Sequence, residues 1–123
     1  MQSHSYAFGS SARLKKRSEI NRCRDTGEKV YSKHFLLLLC EAPEEQSRLG
    51  ITVTTKIDKR AVVRNRIKRR IREVFRLNRY RLKNPVDIVV VARRDSGEIE
   101  YKDFEREILG ALTSRGFLLP ASH

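Results

Sequence analysis

The chain has 123 residues, of which 27 are Lys or Arg and 15 are Asp or Glu, so its formal net charge is +12. A chain of this length folds by default as one domain, and 39% hydrophobic residues are enough to build a core, which argues against wholesale disorder. The longest apolar run, residues 35–40, is far shorter than the roughly 20 residues that cross a bilayer. Residues 1–11 do not resemble a secretory signal, so we expect a cytoplasmic protein without a membrane partner.

The positive charge is concentrated in one part of the chain. Residues 56–83 carry 13 basic and 2 acidic side chains, whereas residues 1–55 have a net charge of +3 and residues 84–123 a net charge of −2. Such an asymmetry indicates an anionic partner, which could be a nucleic acid, an anionic membrane surface or an acidic protein.

The first half of the chain predicts a helix followed by strands. A helix is expected over residues 18–25, with Ser18 as its N-cap and Gly27 just after its end. A strand begins near Val30, and the continuous apolar segment 34–41 predicts a strand that is covered on both faces. In the next strand, residues 48–55, apolar side chains alternate with small polar ones, so one face is core and the other is polar.

The second half changes to a helical period. We expect a helix over residues 58–79, a buried strand over 87–92 and a helix over 101–115 that ends at Gly116. The resulting order of helix, strands, basic helix, strand and helix is typical of an α+β or α/β sandwich.

The basic helix divides into an apolar stripe and an opposite polar stripe. The apolar residues, spaced for one buried face, are Val63, Ile67, Ile71, Val74 and Phe75. The opposite stripe, which we call the basic ridge, consists of Asn65, Lys68, Arg69, Arg72 and Arg76. A solvated helix face normally interleaves Glu with Lys, but Glu73 is the only acid of this helix beyond Asp58. The predominance of arginine therefore favours phosphate binding over mere solubility.

Signatures of protein-based catalysis are absent from the sequence. The chain has no phosphate-binding glycine loop, zinc-protease motif or nucleophile elbow, and its three histidines, His4, His34 and His123, are isolated. Cys23 and Cys40 are too few for a four-ligand zinc site and are interpreted as small buried apolar residues. We predict no catalytic residue, no metal ligand and no organic cofactor.

Charge alone leaves three classes of nucleic-acid binder: a subunit of a ribonucleoprotein nuclease, a structural rRNA-binding protein of the ribosomal type, and a DNA-binding regulator. A helix-turn-helix protein would place a partner helix directly before the recognition helix, whereas a strand precedes it here. A ribosomal protein would often carry long basic tails, but residues 1–11 contain no Lys or Arg.

Residues 61–73, AVVRNRIKRRIRE, closely resemble the signature helix of the protein subunit of bacterial ribonuclease P. The family's hallmark is an R-N-R-x-K-R-x-x-R run after a strand of the type R-x-G-x-x-V, and residues 48–53 read RLGITV. The similarity extends over roughly residues 13–113. It implies a compact two-layer α/β sandwich of order α-β-β-(β)-α-β-α, with an unusual left-handed β-α-β crossover.

The resemblance also implies a function. The family binds the catalytic ribonuclease P RNA and, with it, removes the 5′ leader from precursor tRNA, while the RNA performs the hydrolysis with bound Mg²⁺. On this basis we expect a single RNA-binding domain over residues 13–116, an N-terminal arm over 1–12, a C-terminal tail over 117–123 and one protein copy per RNA.

Two groups of site residues follow from the resemblance. The RNA-contacting residues on the signature helix would be Arg64, Asn65, Arg66, Lys68, Arg69 and Arg72, to which the ridge adds Arg76. The cleft for the leader would be lined by Arg13, Lys15, Lys16, Ile20, Leu36, Leu38, Thr52, Thr54 and Lys56. Relatives often carry aromatic residues at or near Ile20 and Leu38, so leader binding here should depend more on backbone electrostatics, unless Tyr31 or Phe35 supplies a ring.

Overall fold

A computed structural model describes residues 17–42 and 47–118 of the chain. Its elements, in chain order, are α1 (Arg17–Thr26), β1 (Glu28–Tyr31), β2 (Phe35–Glu41), β3 (Arg48–Thr52), α2 (Ala61–Asn78), a 3₁₀ turn (Arg79–Arg81), β4 (Val86–Ala92) and α3 (Tyr101–Ser114). Across these described ranges, no helix combines the length and apolar character that a membrane span requires.

The four strands form one mixed sheet in the order β1-β2-β4-β3. β2 pairs antiparallel with both β1 and β4, whereas β3 pairs parallel with β4 and is connected to it through α2. The predicted α+β class and element order are therefore confirmed, and β3-α2-β4 is the crossover unit whose left hand the resemblance implies.

One face of the sheet carries the main core. Alternate side chains of β2, β3 and β4 pack there against the apolar stripe of α2 and the inner face of α3. Ile67 and Phe104 represent the two helices in this core and are 1% and 0% exposed. The long continuous apolar strands predicted from the sequence are explained by this coverage, because both faces of β2 and β4 meet a helix.

The other face carries a much smaller cluster beneath α1. Cys23, Leu38 and Val89 are its buried members. Its partly buried members are Ile20, Leu36, Cys40 and Val91. The part of this face away from α1 is more open.

Element boundaries differ from the sequence-based expectations at three places. Ser18 lies inside α1 instead of capping it. α2 begins at Ala61, because the Asp58 carboxylate accepts a hydrogen bond from the backbone N–H of Arg60 and so closes a turn before the helix. β3 ends at Thr52, which pairs with Val91 of β4, so it is three residues shorter than expected.

Gly27 allows α1 to approach the sheet closely. Its N–H donates to the carbonyl of Cys23 at 3.0 Å. A Cβ at this position would lie 2.4 Å from that carbonyl oxygen and 2.8 Å from the carbonyl oxygen of Leu39. Any larger residue would push the end of α1 away from β2.

Leu118, which the sequence placed in the C-terminal tail, is 4% exposed and forms a β-bridge with Leu82. The packed domain therefore includes it. The predicted arm at residues 1–12 lies outside the described residues.

Candidate nucleic-acid interface

The apolar stripe of α2 is fully buried, which fixes the direction of the basic ridge. Val63, Ile67, Ile71 and Val74 are between 0% and 3% exposed against the sheet and α3. Because one helix face is committed to the core in this way, the opposite face has to point outward.

Three residues in the middle of the signature helix have no protein partner within the described part of the chain. Asn65 and Arg69 are exposed and Lys68 is half-buried. None of their side chains forms a hydrogen bond or an ion pair with residues 17–42 or 47–118. Their donors remain available for an anionic ligand.

Arg64 and Arg66 use part of their hydrogen-bonding capacity on backbone carbonyls. The Arg64 guanidinium donates to the carbonyls of Asp58 and Lys59 at 3.0 and 2.8 Å. The Arg66 guanidinium donates to the carbonyl of Gly97 at 3.2 Å, while its Nε is buried without a partner. These two side chains stabilise the loops that flank the start of the ridge, as well as adding charge there.

The far end of the ridge is occupied by an ion pair. Arg76 donates through Nε and Nη2 to both carboxylate oxygens of Glu73, at 2.9 and 2.7 Å. These hydrogen bonds hold the pKa of Glu73 below its ordinary value. Arg72 is half-buried and also takes part in an interaction within the protein. The ridge is therefore most available at Asn65, Lys68 and Arg69.

Arg70 belongs to the fold more than to the ridge. It donates to the carbonyl of Ile99 at 2.8 Å, and its guanidinium lies 5.7 Å from the centroid of the Phe104 ring. Its aliphatic part covers the edge of the core, as its position on the helix predicts.

Two of the residues predicted to line the leader cleft, Leu36 and Thr52, lie in one row across the sheet. Tyr31, Leu36, Val91 and Thr52 are register partners on adjacent strands, so their side chains share the α1 face. Leu36, Val91 and Thr52 are half-buried and Tyr31 is exposed. This row, which we call the open row, forms a surface beside α1 that a ligand can reach.

Leu38 does not belong to this accessible surface, contrary to the expectation. It is 2% exposed because α1 covers it, and it packs against Cys23 and Val89. Ile20, on α1, is half-buried at the margin of the same cluster. The resemblance placed Leu38 in the cleft, but the sequence could not show how far α1 extends over it.

The open row does not include Thr54 and Lys56, which were also predicted to line the cleft. Thr54 and Lys56 are exposed in the loop after β3. Arg13, Lys15 and Lys16 lie outside the described residues.

The two aromatic residues proposed as replacements in the cleft have different environments. Phe35 is 0% exposed, and its ring centroid lies 5.0 Å from that of Phe104 in the main core. Tyr31 is 65% exposed, and the Arg93 guanidinium lies 5.4 Å from its ring centroid. Of the two, only Tyr31 can stack on a base.

A buried ion network that sequence reasoning missed positions α1 on the sheet. The Asp87 carboxylate is fully buried and accepts hydrogen bonds from Arg22 on α1 and Arg48 on β3, the shortest at 2.6 and 2.8 Å. Arg48 also donates to Glu19 at 2.5 Å. Hydrogen bonding to Asp87 raises the pKa of Arg48 and outweighs the opposing effect of burial. An acid near the start of an otherwise apolar strand was the available signal.

Comparison with known proteins places the chain in one family. The sequence model described as Ribonuclease P matches residues 8–115. A ribonuclease P protein component from Syntrophus aciditrophicus is 43% identical over 105 residues, which cover 85% of this chain and 87% of the relative. One from Desulfatibacillum aliphaticivorans is 44% identical over 90 residues, covering 73% and 75%.

Solved structures agree with the sequence relatives. The ribonuclease P protein of Staphylococcus aureus superposes with a TM-score of 0.79 at 29% identity, covering 87% of this chain and 97% of that one. The protein from Thermotoga maritima gives a TM-score of 0.74 at 29% identity, covering 83% and 96%. The chain therefore belongs to the ribonuclease P protein family, the protein subunits of the endonuclease that removes the 5′ leader from precursor tRNA.

Proposed function

We propose that the chain binds the ribonuclease P RNA through the middle of the basic ridge. The observation that carries this proposal is the row of Asn65, Lys68 and Arg69, which have no partner among the described residues and lie on a helix whose opposite face is locked in the core. Guanidinium and ammonium donors held on a rigid helix neutralise phosphates without a large ordering cost. Arg64 and Arg66 extend the same positive surface toward the loops that they stabilise.

The salt dependence of binding tests this proposal. Arg69→Ala should weaken binding to the ribonuclease P RNA and lower the slope of log K against log salt by about 1, because one fewer counterion is released. The matched control is Lys102→Ala, which removes the same charge from an exposed position on α3. Equal losses for the two variants, or an affinity that salt does not change, would contradict the proposed interface.

We further propose that the RNA subunit performs hydrolysis with Mg²⁺ and that this chain supplies binding and positioning. The sequence carries no recognisable constellation for nucleophilic or acid-base catalysis. We expect the purified chain to leave precursor tRNA intact, the RNA to cleave it at high Mg²⁺, and the chain to lower the Mg²⁺ concentration that the RNA requires. Robust cleavage by the chain alone would overturn this division of labour.

The open row beside α1 is our candidate surface for the 5′ leader of the precursor tRNA. It offers an exposed aromatic ring at Tyr31, apolar area at Leu36 and Val91, and a small polar group at Thr52. Lys29 shares this face of β1 and adds a positive charge at the edge. A single strand bound here would combine stacking with backbone electrostatics.

Substitution of the tyrosine separates stacking from charge. Stacking of one base on an aromatic side chain contributes about 1–3 kcal/mol, so Tyr31→Ala should weaken binding of leader-bearing precursor tRNA by about fivefold or more. Tyr31→Phe, which keeps the ring, should bind nearly as well as the parent. Binding of tRNA without a leader should not change. Equal losses with and without the leader would assign Tyr31 a different role.

A further inference from the structure

The only two cysteines of the chain meet beneath α1. Cys23 lies on α1 and Cys40 on β2, and their Sγ atoms are 2.7 Å apart, closer than ordinary non-bonded contact between sulfur atoms. Both are free thiols, separated by 17 residues along the chain. Cys23 is completely buried, whereas Cys40 is half-buried as a residue.

The close approach of the two thiols is part of the local architecture. Gly27 lets the end of α1 lie against the backbone of β2, since any Cβ there would clash with the carbonyl of Leu39. The ion pair between Arg22 and Asp87 holds the same turn of α1 on the sheet. The Cys23 thiol also donates to the Asp87 carbonyl at 3.9 Å. These contacts hold the two sulfur atoms so near each other that only a short further approach is needed to reach the roughly 2.05 Å of a disulfide bond.

We propose that Cys23 and Cys40 form a reversible intramolecular disulfide that tethers α1 to β2, with a low-molecular-weight disulfide such as oxidised glutathione as the oxidant. In a reducing compartment such a pair stays reduced, and it closes when the ratio of oxidised to reduced thiol rises.

The exchange proceeds in two balanced steps. The Cys40 thiolate attacks one sulfur of oxidised glutathione, which forms a mixed disulfide and releases one glutathione thiolate. The Cys23 thiolate then attacks the Cys40 sulfur, forms the internal disulfide and releases the second glutathione thiolate. The two cysteine thiols are oxidised, one glutathione disulfide is reduced to two thiols, and the two protons pass to the departing thiolates.

The environments of the thiols suit this order of attack. Burial raises the pKa of Cys23 to about 12, and the hydrogen bond and charge of Cys40 add to the rise. Cys23 is therefore a poor first nucleophile. Once Cys40 is held in a mixed disulfide it can no longer carry a charge or share the proton, so these two contributions disappear and Cys23 becomes easier to ionise.

A metal ion is the competing use of this cluster, because ligand atoms of Cys23, Cys40 and Asp87 lie within 4.8 Å of one another. Both oxygens of the Asp87 carboxylate, however, already accept hydrogen bonds from guanidinium groups. A cation would have to displace Arg22 or Arg48 and then lie beside their positive charges. The observations therefore favour the disulfide.

The tether has a consequence for the leader surface, which rests on the proposed function. α1 forms one side of the groove next to the open row, so fixing its distance from β2 orders that side in advance. A pre-ordered groove loses less entropy when the leader binds. The oxidised chain should bind leader-bearing precursor tRNA a few-fold more tightly than the reduced chain, with no change in affinity for the ribonuclease P RNA.

The first experiment measures the disulfide itself. The full chain is equilibrated in glutathione buffers of increasing oxidised fraction, alkylated, and analysed by mass spectrometry and peptide mapping. We expect a monomeric species with no free thiol, a Cys23–Cys40 linked peptide pair, reversal by dithiothreitol, and an upward shift of Tm by several degrees. Disulfide-linked dimers, or two stable glutathione adducts on one chain, would overturn the proposal.

Two single substitutions check the order of attack. Cys23→Ser should leave Cys40 as a stable glutathione adduct, whereas Cys40→Ser should leave Cys23 unmodified because it is buried. An adduct on Cys23 in the second variant would contradict the assigned roles. Protection of both thiols of the parent by Zn²⁺, reversed by a chelator and coupled to failure to form the disulfide, would instead establish the metal site.

Measuring the affinity for leader-bearing precursor tRNA separates the proposal of a disulfide tether from the proposal that the open row binds the leader. Oxidised and reduced chains are compared on precursor tRNA with and without its leader. A leader-specific gain on oxidation supports the tether's functional role, and equal leader binding by the two forms refutes that role. If the reduced chain already shows no leader-dependent affinity, the leader surface is wrong, while the disulfide is still decided by the thiol count.

Discussion

The two faces of the sheet hold their helices by different physical means. On the face covered by α2 and α3, apolar side chains from all four strands and two helices make a continuous core. On the α1 face, a small apolar cluster is supplemented by the fully buried Asp87 and its arginine partners. The first face depends on the close packing of a large apolar area, which resists small shifts, whereas the second depends on the geometry of a few charges. The residues on α2 that we propose to bind RNA are therefore placed rigidly, and α1 is the part that can adjust.

The largest expected change in the free energy of unfolding comes from removing an aromatic side chain from the main core. Phe104→Ala should lower the free energy of unfolding by about 3–5 kcal/mol, because the deleted ring leaves a cavity against Phe35. Urea unfolding followed by circular dichroism measures this. A greater loss for Leu38→Ala, in the smaller cluster, would reverse the ranking of the two faces.

Removal of the buried carboxylate should be the next largest effect. Asp87→Asn leaves two guanidinium groups without their counter-charge, and since Arg22 is 37% exposed and can reach water, we expect a loss of about 2–3 kcal/mol. Amide hydrogen exchange should increase first in α1. As a control, Glu28→Gln breaks an ion pair between the exposed Glu28 and Arg115 and should have a smaller effect. Uniform loosening of all three helices would show that the network does not act on α1 specifically.

The main-core face also has a buried carboxylate, that of Glu107, and its hydrogen bonds predict that the stability of the fold depends on pH. Burial raises the pKa of Glu107, but hydrogen bonds from His34 and Ser32 outweigh this and leave it below the ordinary value of 4.5. The ionised form therefore stabilises the fold above that pH, and this contribution is lost as the pH falls through the folded-state pKa. Glu107→Gln should cost about 1–2 kcal/mol at pH 7, and the difference from the parent should shrink between pH 5 and 3. A difference that grows on acidification would contradict the assigned sign.

The smallest expected effect is a gain in folding stability from a substitution in α3, which packs on the same face. Gly110 is exposed in the middle of α3, and a Cβ there would meet no atom within 4 Å. Gly110→Ala should stabilise the protein by about 0.5–1 kcal/mol through helix propensity and reduced freedom of the unfolded chain. Thermal unfolding measures it, and RNA affinity should not change. A destabilised variant would mean that α3 is held in a geometry that alanine cannot adopt.

The contrast between the faces also explains what the sequence could predict. The spacing of Val63, Ile67 and Ile71 predicts a helix with one face against a large apolar surface. The helical side of the main core and the direction of the basic ridge therefore follow from periodicity alone. The α1 face has too few apolar residues to produce a recognisable periodic pattern in the sequence. Its organisation depends on pairings between distant residues, such as Arg48 with Asp87, which no local pattern reveals.

The predicted site residues show the same contrast between positions fixed by local geometry and positions that depend on distant parts of the chain. Asn65, Lys68 and Arg69 lie where the helical projection places them, because a helix fixes every side chain relative to its neighbours. Leu38 was assigned to an accessible cleft on the basis of the resemblance, which did not show how far α1 covers that position in this chain. The roles of Arg64 and Arg66 as donors to loop carbonyls depend on where those loops fold, so the sequence showed only their charge.

The separation between Arg22 and Asp87 has a consequence for the order in which the protein folds during synthesis. The two residues are 65 positions apart, so α1 leaves the ribosome long before its anchoring carboxylate exists. A short helix without its partners is marginally stable in water. The nascent α1 must therefore wait until β4 has been translated and has paired with both β2 and β3. The first helix of the chain is in this sense among the last to dock, and a translational pause before residue 87 would prolong the interval in which its underside is uncovered.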